Sequence, residues 1–384
     1  MDVLVNATTL AKGGGIQAAA SFIAEAESAR SDINWHYALS AEVAEELVSL
    51  NVETPDAVIF QSSPSRDKSQ RKRLETLEKT LGPDVVYTVF GPTYVRFSAP
   101  HLCGVAVGWV THSTRLAYST LPGGLSRLRT FLKCIYKGFW LRFADRWVVE
   151  ADTARQGMHR RLRIPPAKVS IIPNSCAAVF NSAQLDPVSR PRSTDTLRLL
   201  YVSAYYPHKH IEFIPEVAAA LTDIAPGRDF EFILTLPEDD EETVRILQKA
   251  ADLGVRQRLK NAGRVSLNGV IELYRDVHIC FMPSLLETFS ATYPEAMAMG
   301  RPIVTTDLGF ARAVCGDAAE YYSPLDAEDA ARAILRLTDS AEVWDARQQA
   351  GARVLADLPT ARQKYELYVD AIRVAAGLPE AQVG

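Results

Sequence analysis

Short apolar runs alternate with amphipathic stretches along nearly the whole chain, and this alternation limits the fold more than any other feature. "VLVNA" (3–7), "VVYTV" (85–89), "VAVGWV" (105–110) and "RWVVEA" (146–151) read as buried strands. "IQAAASFIAEAESA" (16–29) and "AEVAEELVSL" (41–50) have helical periodicity. Strand and helix in turn imply a parallel sheet with right-handed crossovers. The pattern runs to about Ile172. A polar, proline-bearing segment follows at 181–196 and reads as a linker. A second alternation then opens at "LRLLYVSA" (197–204) and continues through "FEFILTL", "VHICFMPS", "RPIVTT" and "AEYYSP".

The expectation is an α/β protein of two Rossmann-like domains, with residues 1–180 and 197–359 on either side of the 181–196 linker. Its 384 residues suit two domains. A net charge of −4 argues against a dedicated nucleic-acid binder, and 23% charged residues is ordinary for a soluble protein. The five cysteines (103, 134, 176, 280 and 315) form no C-x-x-C pair and read as reduced thiols of a cytoplasmic protein. "MDVLVNATTL" reads as a first strand rather than a signal peptide. No uncharged apolar run approaches the ~20 residues that cross a bilayer.

Glu287 and Glu295 lie eight positions apart in "SLLETFSATYPEAMAMGRPIVTT". Pro294 is tolerated only in a first helical turn, and Gly300 with Pro302 marks a helix end. The segment therefore reads as strand, loop, helix, strand. Glu287 falls on the loop at the carboxyl end of a parallel strand, where open α/β sheets bind ligands. The amides of Thr288, Phe289 and Ser290 are expected to face an anion. A carboxylate such as Glu295 suits a vicinal diol. On spacing alone, Glu295 serves equally well as a complement to the helix dipole.

"PSLLETFSATYPEAMAMGRPIVTTD" (283–307) resembles the E-x7-E segment of the family-4 retaining glycosyltransferases, which have the GT-B fold with two sheets facing a central cleft. The resemblance implies that Glu295 holds the nucleotide ribose and Glu287 lies by the donor sugar. It implies no cofactor beyond a nucleotide-diphosphate sugar donor, a glycan or lipid-linked acceptor, and a last helix at 360–384 returning to the first domain. The family usually has Gly where this chain has Ser290.

Other stretches extend the resemblance. Gly13, Gly14 and Gly15 open a helix and resemble the family's glycine-rich first loop. The same letters fit a dinucleotide fingerprint, but no acidic residue ends the following strand "INWHYAL", which weighs against a nicotinamide oxidoreductase. His112, after "VAVGWVT", stands at the end of an apolar strand; the family commonly has a His there, on the donor sugar. Lys209 in "LLYVSAYYPHKH" matches a Lys that neutralises the donor diphosphate. The accompanying Gly-Arg is Ser203-Ala204 here, the most serious departure, for which His208, His210 or another basic residue would have to compensate. Ala313 replaces a usual acidic residue, and Asn174-Ser175 replaces Asn-Gly. The "PHK" and "ARAVCGDAA" stretches look like transferases of bacterial surface polysaccharide, lipopolysaccharide included.

The implied activity is retaining transfer of a hexosyl unit, with His112, Lys209 and Glu287 as catalytic residues. No D-x-D metal motif is present. The alternatives are a degenerate GT-B protein that binds nucleotide or glycan without turnover, a sugar-nucleotide epimerase or phosphorylase, and the oxidoreductase. One stretch stands apart. "LSRLRTFLKCIYKGFWLRFADRW" (125–147) carries apolar residues on one helical stripe and Arg127, Lys133 and Lys137 on another face. The stripe is expected to pack on the sheet. Its other reading is peripheral contact with an anionic membrane, on the inner face of the plasma membrane.

Overall fold

The computed structural model describes residues 1–379 except 30, 31, 55, 178, 181, 182 and 184–186. The chain divides into two compact units. The first comprises 1–112, 124–174 and 359–384, and the second 113–123 and 175–358.

In the first unit the described residues form one parallel sheet of seven strands, ordered β3-β2-β1-β4-β5-β6-β7. They are β1 (Asp2–Ala7), β2 (Asn34–Ser40), β3 (Val58–Phe60), β4 (Val85–Thr88), β5 (His101–Gly104), β6 (Arg146–Val149) and β7 (Val169–Ile171). β1 pairs with both β2 and β4, Val3 standing opposite Trp35 and Val85. Helices on both faces explain why these strands are almost continuously apolar. The crossovers are α1 (Gly14–Ser28), α2 (Ala41–Ser49) and α3 (Lys68–Leu81), followed by the short turn α4 (Gly108–Thr111) and then α6 (Gly123–Leu141) and α7 (Asp152–Leu162), while the short α5 (Arg115–Ser119), between α4 and α6, is assigned to the second unit. α1 buries Ala19, Ala20, Phe22, Ile23 and Ala26, the spacing of one helical face.

The second unit repeats the plan with six strands, ordered β10-β9-β8-β11-β12-β13. They are β8 (Leu197–Tyr201), β9 (Phe230–Leu234), β10 (Leu259–Asn261), β11 (Ile279–Met282), β12 (Ile303–Thr306) and β13 (Ala319–Tyr322). Its helices are α8 (Ile214–Ile224), α9 (Glu241–Asp252), α10 (Leu267–Asp276), α11 (Thr292–Ala298), α12 (Gly309–Cys315), α13 (Ala327–Asp339) and α14 (Ala341–Asp357). A last helix, α15 (Ala361–Ala375), opens on a capping box between Thr360 and Gln363. It packs in the core of the first unit, Tyr365 and Tyr368 lying against Phe22 and Tyr87. Residues 380–384 of the expected terminal helix lie outside the described residues.

Three expectations change. The run 105–110 is not a strand. β5 ends at Gly104, where a Cβ would meet the Val89 carbonyl oxygen at 1.9 Å. The Val105 amide still bonds the Val148 carbonyl at 2.8 Å, and the chain then leaves the sheet and turns into α4. An apolar run this short fits a strand or a buried helical turn equally well. The expected linker at 181–196 falls within the second unit. Residues 181, 182 and 184–186 lie outside the described residues, and from Val188 the chain is bonded to the second unit. The Val188 carbonyl accepts from Trp344 and Gln348, and Arg190 donates to the Thr338 carbonyl.

The third concerns the 125–147 stripe, which does not pack on the sheet. Only Gly138 and Leu141 of α6 are buried, and Leu125, Leu128, Leu132, Ile135 and Phe139 face solvent. The helix is anchored by its C-terminal end. A Cβ on Gly138 would come 2.8 Å from Leu162, and Trp147 Nε1 donates to the Leu141 carbonyl at 2.8 Å.

Candidate functional site

Strand order reverses direction between β8 and β11 in the second sheet. Loops leaving the carboxyl ends of two such strands diverge and open a crevice for a ligand. The loop after β8 reaches a 3-10 turn at Pro207–Lys209, ended by His210 at φ 53°. The loop after β11 runs through buried Ser284, Leu285 and Leu286 to Glu287. The Leu285 amide bonds the His208 carbonyl at 2.8 Å, tying the two loops together. Lys209 Nζ and Glu287 Oε1 then meet at 2.5 Å, with side chains 14% and 9% exposed. A charge pair this buried at a sheet's switch point is costly to desolvate, which marks it as a candidate for function.

Glu295 stands one turn further on. α11 starts at Thr292, places Pro294 in its first turn, and ends with Met299 as cap and Gly300 at φ 65°. Its Tyr293 OH shares a hydrogen bond with Thr305 Oγ1 at 2.9 Å, fixing the helix on β12. The carboxyl of Glu295 is half-buried and has no hydrogen bond among the described residues. Burial pushes it up to about 7, against the opposing pull of the Lys209 charge. Thr288, Phe289 and Ser290 precede the helix rather than forming its first turn, and the Ser290 carbonyl accepts from the Tyr293 amide at 3.1 Å. Their amides therefore belong to the loop that carries Glu287.

The departures from the family pattern can now be placed. Ala204 is exposed, and the Ser203 hydroxyl donates to its carbonyl at 2.8 Å. No guanidinium occupies that position. Burial holds His210 down at about 4, and its ring stacks on Phe213 at 5.2 Å. His208 adjoins the pair; burial lowers it, while Glu287 pulls it up. Arg312 forms a two-point contact with Asp307 and lies 3.6 Å over the Tyr321 ring, beside Ala313. The amide tie between Leu285 and His208 was not foreseen, because a backbone bond leaves no mark on residue type.

In the first unit the order reverses between β1 and β4. The loop after β1 reaches Gly13, whose φ 67°, ψ −154° only glycine adopts comfortably. Gly13 caps α1 without a side-chain bond, and α1 has no acidic residue in its first turn. Its first amides are therefore left for an anion. Gly15 lies close to Leu10 and Phe90. His112 caps the α4 turn rather than a strand, its Nδ1 within 2.8 Å of Thr111 Oγ1. α7 passes directly beneath, since a Cβ on Gly157 would come 2.0 Å from the Thr111 carbonyl oxygen. β2 ends in Ser40, which caps α2 by accepting from the Val43 amide, so no carboxylate stands where a dinucleotide site holds ribose. Among the described residues no group of three or more His, Cys, Asp or Glu side chains is placed to hold a metal ion. No helix among them is long and apolar enough to cross a membrane.

The sequence profile of Glycosyltransferase Family 4 matches residues 34–176, and that of Glycosyl transferases group 1 matches 196–340. The D-inositol 3-phosphate glycosyltransferase of Corynebacterium glutamicum (strain R) is 24% identical over 244 residues, covering 60% of this chain and 58% of that protein's length. A glycosyltransferase from Rickettsia africae ESF-5 superposes with a TM-score of 0.73 at 16% identity, over 97% of this chain and 98% of its own. Anabaena HepE in complex with UDP superposes at 0.70 with 14% identity, over 97% and 100%. The two profiles fall on the two sheets and together take in most of the chain, and the likeness in structure runs nearly end to end. The chain belongs to the group 1, family 4 glycosyltransferases, and its two parallel-sheet units have the GT-B fold.

Proposed function

We propose that the protein transfers a hexosyl unit from a nucleotide-diphosphate sugar to a glycan or lipid-linked acceptor in the cytoplasm, with retention of configuration and without a metal ion. The observation that carries this reading is the buried Lys209–Glu287 pair at the switch point of the second sheet, with the carboxyl of Glu295 nearby and unbonded among the described residues. Glu295 takes the ribose diol. Lys209, with the loop amides of Thr288, Phe289 and Ser290, takes the negative charge of the diphosphate. Glu287 orients Lys209 and faces the sugar; His112 is assigned a catalytic role by its likeness to the family's histidine. The α1 amides at Gly13, Gly14 and Gly15 offer further anion contact. The acceptor oxygen bonds to the anomeric carbon as the bond to the phosphate oxygen breaks, and that oxygen takes the acceptor's proton on the same face. The "PHK" and "ARAVCGDAA" stretches favour an acceptor in bacterial surface polysaccharide. UDP bound by the HepE relative supports a nucleotide-sugar donor.

The test is a thermal-shift panel of UDP, GDP, dTDP, ADP, their sugar conjugates and NAD(P), on wild type and Glu295→Ala. A ligand at 100 times its Kd stabilises by about 2.7 kcal/mol, a readable shift. One nucleotide family is expected to shift the wild type and to fail with the variant. Equal shifts in both proteins would sink the ribose assignment. The pH dependence follows from the raised carboxyl. Its contribution to the apo protein's stability is full below the ordinary value of 4.5 and is lost as pH rises through about 7. The diol takes the ionised form, so the nucleotide shift grows on the alkaline side of 7.

A second reading has its own observation. With Ala204 exposed where the family places Arg, the protein binds nucleotide without turnover. Release of nucleoside diphosphate in the presence of acceptor separates the two.

A further inference from the structure

A chain of four polar side chains runs through the interior of the first unit. Asn6 in β1, Thr8 just beyond it, Thr88 in β4 and His101 in β5 are all buried. They stand inside a sheet covered on both faces, where apolar residues are the rule. Thr8 donates to Asn6 Oδ1 through its amide at 3.2 Å and through its hydroxyl at 2.8 Å. A backbone amide can only donate, so the side chain of Asn6 has one orientation, with its oxygen on Thr8 and its nitrogen on Thr88. Asn6 Nδ2 donates to Thr88 Oγ1 at 3.2 Å, and Thr88 Oγ1 shares a further bond with His101 Nε2 at 2.9 Å. Burial pushes His101 down to about 3, so its ring joins the chain as a neutral hydrogen-bonding group rather than as a charge.

Asn6 stands opposite Thr88 where β1 meets β4, the point at which the strand order of this sheet reverses. The loop that leaves β1 there has an exposed tip at residues 11–14 and opens α1. Its foot is held at three successive residues. Asn6 takes Thr8, Thr9 Oγ1 donates to the Phe90 carbonyl at 3.3 Å, and the Leu10 carbonyl accepts from Ser40 Oγ at 2.6 Å. For the sheet alone an apolar residue would serve better than Asn6, because strands disfavour Asn and a buried amide costs stability wherever one of its ends lacks a partner. An apolar residue could not hold Thr8, whose two donors need an acceptor at that point.

We propose that Asn6, Thr88 and His101 are positioning residues of the transfer site, resting on the proposed contact of the α1 amides with the substrate. Their chain sets the foot of the loop, so that the amides at Gly13, Gly14 and Gly15 are aimed before an anion arrives. Donors fixed in advance need no reorganisation as the reaction proceeds. The three residues act through the loop and touch no substrate. Their loss therefore falls on turnover more than on nucleotide binding, whose proposed charged groups belong to the second unit.

The test pairs two substitutions at each threonine. Thr88→Val keeps the shape and leaves Asn6 Nδ2 without its acceptor, whereas Thr88→Ser keeps the hydroxyl. Thr8→Val and Thr8→Ser repeat the contrast at the foot of the loop. There the backbone amide still bonds Asn6, so this pair stays readable if Thr88→Val does not fold. Two quantities are measured on the full chain: hydrogen exchange of amides 9–16, and release of nucleoside diphosphate from the sugar conjugates of UDP, GDP, dTDP and ADP. The valine variants should exchange that segment about tenfold faster and lose about tenfold in kcat, with the KM for the sugar nucleotide changed by less than about threefold. The serine variants should stay near the wild type. Exchange at the wild-type rate in the valine variants overturns the proposal. So does faster exchange with kcat unchanged, or a serine variant as impaired as its valine counterpart. If the wild type releases no nucleoside diphosphate while exchange responds as expected, the transfer reaction is what fails, and the hold of Asn6 on the loop stands.

Discussion

The two units share one plan and differ in what they place at its edge. Each is a parallel sheet whose strand order reverses once, between β1 and β4 or between β8 and β11. The second unit fills its reversal with charge: Lys209 on Glu287, and Glu295 one turn into α11. The first offers backbone instead, with the glycine-opened α1 and the short turn that ends at His112. The second also buries its apolar residues in one continuous core, whereas the first leaves α6 standing in water. The scaffold thus fixes where a ligand sits, and the loops decide whether charge or bare amide meets it.

The largest effect is expected where the second unit departs most from an apolar interior. Lys209→Ala leaves Glu287 in its buried place without the cation, and Glu287→Ala does the converse. Each should cost about 3 kcal/mol in denaturant unfolding. The double variant should cost clearly less than the sum, because its second substitution removes a charge already stranded. Additive losses would mean that the two groups act separately, and the contrast between the units would lose its main support.

A smaller loss is expected in the first unit. Gly157→Ala would put a methyl 2.0 Å from the Thr111 carbonyl oxygen, so α7 and the α4 turn must part. Overpacking of this kind costs about 1–3 kcal/mol. Turnover should fall as His112 shifts, while the nucleotide-induced thermal shift, proposed for the second unit, should be retained. Loss of that shift would show that the donor site depends on the first unit's turn.

How much of this could be read from the sequence differs between the units for a physical reason. Glu287, Pro294, Glu295 and Gly300 each constrain the backbone or carry charge at a fixed offset, so the loop and α11 were legible, as was the parallel alternation. The run 105–110 was not, because apolar residues in a buried turn look like those in a strand. Nor was the exposure of α6. Its stripe has the right period for packing, and periodicity gives a face but not what covers it. The short strand β10 (Leu259–Asn261) was also missed, since three residues, two of them polar, carry no period.

The smallest effect sharpens the comparison most. Leu128→Ser with Ile135→Ser removes two large apolar side chains from α6, where they are 53% and 55% exposed. Exposed positions away from special backbone change stability by no more than about 0.5 kcal/mol each. The melting temperature should therefore stay within a few degrees of the wild type's. By contrast, Leu200→Ala in β8, at 0% exposure, removes less polarity contrast yet should cost about 2–5 kcal/mol through the cavity it leaves. If the α6 variant melted as early as the Leu200 variant, the stripe would be part of the folded core in solution. If it melted with the wild type, Leu128 and Ile135 do nothing for the fold, and their place on the helix has to be explained by what lies outside it.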